Sequence, residues 1–265
     1  MHQPADELPP MLADLRNSKN GIWCLGLAAE DEQLYRNYIA SYYALVTEID
    51  ARVGEVFAEL EKMGMAENTI VVYSSDHGDF VGSHGMIEKA ALGHNVYEET
   101  LHVPMLFFWK GKFQSGYKSN DLVGLIDIYP TLMELARIKR PTCNYPLQGI
   151  SLVKTLTKKA SIKRNYMVSE NWSQAAIITK DYKLGVMLDP TAASKRDYRS
   201  FGNMLFERKT DPLEMKNQIN SAELSHVVKK MKGYYSHFEK TISGKGKDEM
   251  TANALKRTEN AKVIN

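Results

Sequence analysis

Apolar residues recur at Tyr35, Tyr38, Ile39, Tyr42, Val46, Ile49, Val53, Val56, Phe57, Leu60 and Met63, the three- and four-residue spacing of one long amphipathic helix. Gly64 follows, where a left-handed C-terminal cap is least costly. The next run, Thr69-Ile70-Val71-Val72-Tyr73-Ser74, is apolar and β-branched without alternation, which predicts a strand covered on both faces, as in a parallel sheet. Val103-Pro104-Met105-Leu106-Phe107-Phe108-Trp109 predicts a second buried strand. Helix, strand, loop and strand in this order predict an α/β domain. Ahead of it, Pro4, Pro9, Pro10 and Gly21 break any long period, so the first 33 residues read as a loop-rich lead-in.

Asp127 stands where a helix N-cap belongs, and Pro130 lies in the first turn of a helix continuing through Leu132, Met133, Leu135 and Ala136. Pro141, Pro146, Gly149 and a cluster of basic residues then mark a boundary between 139 and 165. Beyond it, 166–170, 175–179, 182–188 and 204–207 predict the short strands of an antiparallel meander. A last amphipathic helix over 221–238 is expected to bury Leu224, Val227, Val228 and Met231. The divisions expected are 1–155 for the first domain, 156–243 for a small α+β domain, and 244–265 for a solvated tail poor in large apolar residues.

Composition narrows the function. With 34 basic residues against 32 acidic ones, a net charge of +2 and 43% hydrophobic residues, the chain has the profile of a globular protein and lacks the basic excess of a dedicated nucleic-acid binder. No run reaches the roughly 18 apolar residues of a membrane span, and the first 25 positions lack the pattern of a secretory signal. The two cysteines, Cys24 and Cys143, define no disulfide framework.

The chemistry concentrates in Ser75-Asp76-His77-Gly78-Asp79-Phe80-Val81-Gly82-Ser83-His84-Gly85, directly after the first strand. Ligands of open α/β sheets bind beyond the carboxyl ends of strands, so Asp76 and His77 stand where a site belongs. A carboxylate and an imidazole on one tight turn can reach one cation, and Gly78, Gly82 and Gly85 let the backbone fold closely around it. Lys89, thirteen positions after Asp76, offers a point charge for an anionic group. On spacing alone, Asp-His-Gly is also a common turn, Lys89 a surface lysine, and His84 and His94 loop residues satisfied by backbone carbonyls.

The whole arrangement resembles the second half of the sulfatase family, within the alkaline phosphatase superfamily. The residues that carry the resemblance are Tyr38 to Tyr43, Glu48-Ile49-Asp50, Asn68 to Val72, Ser75-Asp76-His77-Gly78, His84-Gly85, Lys89, Tyr97-Glu98-Glu99 and His102-Val103-Pro104. Asp127 to Leu132, Gly149 to Leu152, Leu205-Phe206, Asp211-Pro212, Glu214 and Asn217 continue it downstream. The resemblance implies a partial alkaline-phosphatase-like sandwich with a mainly parallel sheet, followed by a small α+β domain with an antiparallel sheet. It places Asp76 and His77 on the family's divalent-cation pair, in an Asp-His subset that includes iduronate-type sulfatases and phosphonate monoester hydrolases. The cation implied is normally calcium, and His77 leaves manganese open. Lys89 falls on the lysine that contacts the sulfate and the leaving oxygen. The stretch 90–95 is longer than the family's usual link, which makes His94, with His84, a candidate for substrate contact.

The departures are as informative. The Cys/Ser-x-Pro-x-Arg motif that matures to the family's formylglycine nucleophile does not occur, since Cys24 precedes Leu25-Gly26-Leu27 and Cys143 precedes Asn144-Tyr145-Pro146. The family's N-terminal aspartates and Lys-x-His contacts do not occur either. The expectation is therefore the C-terminal part of a sulfuric ester hydrolase acting on a sulfated glycan or an aryl or alkyl sulfate, with formylglycine carried by a missing N-terminal half of the catalytic domain. The alternatives are a phosphonate or phosphate ester hydrolase of the same superfamily, and a noncatalytic fragment or partner domain. The resemblance also implies a periplasmic or secreted protein.

Overall fold

The computed structural model describes residues 7, 8, 13, 32–89, 95–139, 147–170, 174–188 and 202–242. The lead-in before Glu32, both cysteines, His94 and the tail from 244 lie outside the described residues, apart from Glu7, Leu8 and Ala13. The chain divides into two compact units, Met1–Ser119 with Lys154–Ala160, and Asn120–Val153 with Ser161–Asn265. Among the described residues no helix is long and apolar enough to cross a membrane.

In the first unit, α1 (Glu32–Lys62) is the helix that the apolar period predicts. Glu32 in its first turn and Lys62 in its last suit the helix dipole. Arg36–Glu32, Arg52–Glu48 and Lys62–Glu59 pairs line its exposed surface. None of its residues is buried, and Val46, Ile49 and Val56 of its apolar positions, with Met63 just past its end, are open to solvent. Phe57 meets Phe108 of the following sheet edge to face at 4.9 Å, and Glu61 pairs with Lys110 at 2.7 Å.

The strands β1 (Ile70–Ser74) and β2 (Met105–Trp109) form where the apolar runs predict them, yet they pair antiparallel, from Ile70 opposite Trp109 to Ser74 opposite Met105. The expected mainly parallel sheet is corrected here: among the described residues both sheets are antiparallel. A parallel pair needs a connection that crosses a sheet face. The segment 75–104 instead returns to the end of β1 that it left, with Ser74 Oγ donating to Pro104 O at 2.8 Å and Gly78 N to Thr100 O at 3.0 Å. Among its described residues the only α-helical piece is the single turn α2 (Glu98–Leu101). The expected cover is also corrected: on one face of β1 Tyr73 is 40% exposed, and in β2, expected to be buried, Leu106 and Phe108 remain 56% and 42% exposed.

The second unit carries the expected meander, β3 (Met167–Glu170), β4 (Gln174–Ile178), β5 (Tyr182–Met187) and β6 (Met204–Glu207), paired in that order. The final helix, numbered α5 (Ser225–Ile242), lays Val227 and Met231 onto Ala175, Ile177, Leu184 and Leu205 to make the core. The buried Lys183 ammonium meets the buried Glu214 carboxylate at 2.5 Å. Ahead of the sheet runs α3 (Ile128–Leu135), with Pro130 in its first turn as expected. Asp127 stands at its N-cap position, but the carboxylate caps no α3 backbone group. It accepts Gly124 N at 2.9 Å and Ile150 N at 2.8 Å, and takes both arms of Arg164 at 2.7 Å. Gly149 is required beside this junction, since a Cβ there would stand 1.9 Å from Ile126 O. The short helix α4 (Val153–Lys158) follows this junction along the chain.

Replacing Asp127 leaves a buried guanidinium and two backbone N–H groups without their acceptor. Asp127→Ala is therefore expected to cost about 3–5 kcal/mol of unfolding free energy, measured as a lower urea midpoint. A midpoint equal to the parent's would show that the junction contributes nothing.

Candidate active site

Asp76, His77 and Lys89 meet beyond the C-terminal end of β1. His77 Nδ1 donates to Gly78 O at 2.8 Å, which leaves Nε2 as the lone-pair nitrogen. That Nε2 lies 3.3 Å from Lys89 Nζ and 4.0 Å from Asp76 Oδ1. The Asp76 carboxylate is 88% exposed and accepts His77 N at 3.0 Å. That backbone bond first, with the nearby His77 and Lys89 side chains, holds its carboxyl below the usual aspartate value. The cluster thus presents one anionic oxygen donor, one imidazole nitrogen and one ammonium at a common, solvent-facing point.

A tightly wound loop holds them there. Phe80 N donates to Glu88 O, and Gly82 N to Met86 O, both at 2.8 Å, so 80–88 doubles back and returns Lys89 toward His77. Val81, His84 and Glu88 adopt left-handed backbone conformations at φ of 48°, 54° and 52°, which is strained for residues with a Cβ and costs most for β-branched Val81. Asp79 offsets part of that strain by accepting Val81 N at 2.7 Å, and Tyr38 of α1 reaches the same carboxylate at 3.4 Å.

Beneath the loop lies a small aromatic core of Phe80, Met86, Val96 and Tyr97, all buried. His84 belongs to this core. Only 1% of its side chain is exposed, its ring lies 4.6 Å from that of Tyr97 and 5.8 Å from that of Phe80, and its Nε2 stands 3.3 Å from Glu99 Oε1. The structure therefore brings together Asp76, His77 and Lys89 but sets His84 behind them, and His94 lies outside the described residues.

Asn95 was not among the residues expected to serve the site. It is buried, donates from Nδ2 to Lys89 O at 2.7 Å, and accepts Tyr97 N at 3.1 Å and Thr100 Oγ1 at 2.6 Å. It fixes the backbone of Lys89 to α2 across the intervening segment. An asparagine beside Tyr-Glu-Glu carries no local pattern that announces this, because its three partners are spread from 89 to 100.

As cation ligands, Asp76 and His77 are of suitable chemistry and reach one another, but they supply two donors where calcium takes about six to eight. Among the described residues no group of three or more His, Cys, Asp or Glu side chains is arranged to hold a metal. The residues fit part of a cation site.

Two family profiles match the chain, Sulfatase over residues 7–138 and the C-terminal domain of N-sulphoglucosamine sulphohydrolase over 82–241. The chain belongs to the sulfatase family. Among relatives, it is 35% identical to arylsulfatase K of Bos taurus over 57% of this chain and 25% of that protein. It is 27% identical to an N-acetylglucosamine-6-O-sulfatase of Bacteroides thetaiotaomicron over 81% of this chain and 38% of that one. A solved 2-O GAG sulfatase superimposes with a TM-score of 0.74 at 25% identity, over 93% of this chain and 52% of its own. The chain thus spans from a quarter to about half the length of these relatives.

Two outcomes are expected from this geometry. A Cβ on Gly78 would stand 1.9 Å from Glu99 O, so Gly78→Ala is expected to lower stability by about 1–3 kcal/mol, read by urea unfolding. No change would mean that the loop does not depend on this close approach. For Glu99, burial raises the carboxyl pKa, but the hydrogen bond and charge of His84 outweigh it and leave the value below 4.5. A depressed carboxylate stabilises the fold fully above its unfolded pKa, and that contribution is lost as pH falls through the folded value. Glu99→Gln is therefore expected to be less stable than the parent at pH 7, with the gap closing as pH falls below about 4.5. A gap that widens in acid would reverse the assignment.

Proposed function

We propose that this chain supplies the cation-binding and leaving-group side of a sulfuric ester hydrolase, together with the enzyme's small C-terminal domain over 156–243. The observation that carries the proposal is the meeting of Asp76, His77 and Lys89 at the end of β1. The sulfatase profiles and the sulfatase relatives support the reaction class, and a sulfated glycan is the substrate class closest to those relatives' names.

Each residue has a defined task. Asp76 and His77 Nε2 would hold a divalent cation, calcium or manganese, whose charge neutralises the sulfate oxygens. The exposed carboxylate is already ionised at neutral pH, since its pKa lies below the usual aspartate value. His77 is kept in the ligating tautomer by its bond to Gly78 O. Lys89 turns its ammonium to the anionic ester and stabilises or protonates the departing oxygen. Asn95 positions Lys89 through its backbone. His84 acts from behind, by holding Glu99 and packing the loop. His94 remains a candidate for substrate contact at the mouth of the site.

The attacking formylglycine belongs in this reading to the family's other half, which also supplies the remaining cation ligands. The open apolar positions of α1 and the half-exposed β2 support a partner segment of this kind. The family implies an exported enzyme.

The test compares the 265-residue chain with a polypeptide that joins it to the catalytic half that its relatives carry. The joined protein is expected to hydrolyse an aryl sulfate, and Lys89→Ala to lower kcat by about 100–1,000-fold. The chain alone is expected to show no turnover and to bind calcium or manganese only weakly in calorimetry, with Asp76→Asn weakening it further. Turnover by the chain alone that disappears in Lys89→Ala, or submicromolar calcium affinity, would overturn this division of labour.

A further inference from the structure

The second unit contains a cavity of about 730 Å³, within the roughly 300–1,000 Å³ range of ligand sites. Three separate stretches of chain build it: 161–165 before β3, the β4–β5 turn at 179–182, and the first turns of α5. None of Asp76, His77 or Lys89 lines it.

Its charge is one-sided. Lys163, Lys180 and Lys230 line the cavity, are exposed, and make no ion pair among the described residues. The other two charged groups of the wall are already committed. Arg164 is spent on Asp127, and Asp181, the only lining carboxylate, is held by Lys209 at 2.7 Å. The hydrogen bond and charge of Lys209 first, with Lys230 and Lys180 adding to them, keep the Asp181 carboxyl below the usual aspartate value. The lysines come from positions 163, 180 and 230, so tertiary folding and no local charge run gathers them.

The remaining wall mixes aromatic, aliphatic and polar side chains. Tyr234 stacks on Tyr166 with ring centroids 4.6 Å apart and planes 15° from parallel, and Lys230 Nζ stands 5.9 Å from the Tyr234 centroid. Tyr234, braced by Tyr166 from outside the lining, is an aromatic ring of the wall against which the C–H side of a sugar can pack, while Asn165 adds an exposed amide. Separated ammonium groups around such a face suit a ligand that carries several anionic groups on a carbohydrate frame.

We infer that this cavity is a second binding site, which holds a sulfate-bearing sugar of a glycan other than the one presented to Lys89. The inference rests on the sulfated-glycan reading above only for the class of ligand. In the enzyme, such a site retains a polymeric substrate by charge and stacking while hydrolysis occurs elsewhere on it.

The test is calorimetric titration of a heparin-derived tetrasaccharide into the full 265-residue chain. Parallel titrations use the chemically desulfated sugar and a single-stranded DNA of equal charge. Removing all three lysines (Lys163→Ala, Lys180→Ala, Lys230→Ala) is expected to weaken binding at least about tenfold and to flatten its salt dependence. Tyr234→Ala is expected to weaken it and Tyr234→Phe to leave it intact, since the ring face is what the sugar uses. Removing three exposed lysines that do not line the cavity (Lys112→Ala, Lys118→Ala, Lys139→Ala) is expected to leave affinity within about twofold of the parent. Unfolding midpoints equal to the parent's confirm that the triple cavity variant is folded, as exposed lysines predict. Retained affinity in the triple cavity variant overturns the inference without touching the proposed hydrolase site. Loss of binding in Lys89→Ala alone moves the ligand to the Asp76 cluster and overturns it too. Equal affinity for the desulfated sugar or for DNA removes the sulfated-glycan assignment.

Discussion

The geometry of the candidate site depends on how closely Gly78 approaches the carbonyl of Glu99. No side chain fits between them, and the bond from Gly78 N to Thr100 O fastens the start of the loop to α2. Asn95 fastens the other end by holding Lys89 O. Two attachments to one short buried segment therefore set the separation of His77 and Lys89. The left-handed residues between them persist because both ends are held, a common state of affairs where a loop must present side chains in a fixed array.

His84 and Glu99 show how charge supports this arrangement from the inside. A buried carboxylate alone would be raised in pKa and would tend to neutralise, and the imidazole at 3.3 Å reverses that tendency. The same imidazole packs between Phe80 and Tyr97, so one side chain supplies both a charge partner and an aromatic surface. The second unit uses comparable economy at Asp127, whose two oxygens gather Gly124, Ile150 and Arg164 from three stretches of chain. Its fourfold acceptance explains why an aspartate is needed there when no helix cap is made.

The two units differ in how completely they cover their apolar surface. The second has a four-stranded sheet with α5 packed on β4 and a core of residues almost without exposure. The first leaves a 31-residue helix without one buried residue and a two-stranded sheet with exposed leucine and phenylalanine. The relatives matched are longer than this chain, which spans from a quarter to about half of each.

The sequence by itself determined the elements: α1 from its helical period, β1 and β2 from their β-branched and aromatic runs, the meander from its succession of short strand-like segments, and Asp76 beyond a strand end. These follow from nearest-neighbour physics, the spacing of apolar residues and the fixed preferences of glycine and proline. Only the tertiary structure decided that β1 and β2 run antiparallel, because direction depends on where 75–104 re-enters the sheet. Only it placed His84 inside and Asn95 behind Lys89, since a histidine's burial and an asparagine's partners are settled by residues distant in the chain. The gathering of Lys163, Lys180 and Lys230 around one cavity belongs to the same class. Local patterns state which residues will be helical or extended; long-range packing states which side chains will share a space, and chemistry depends on the second.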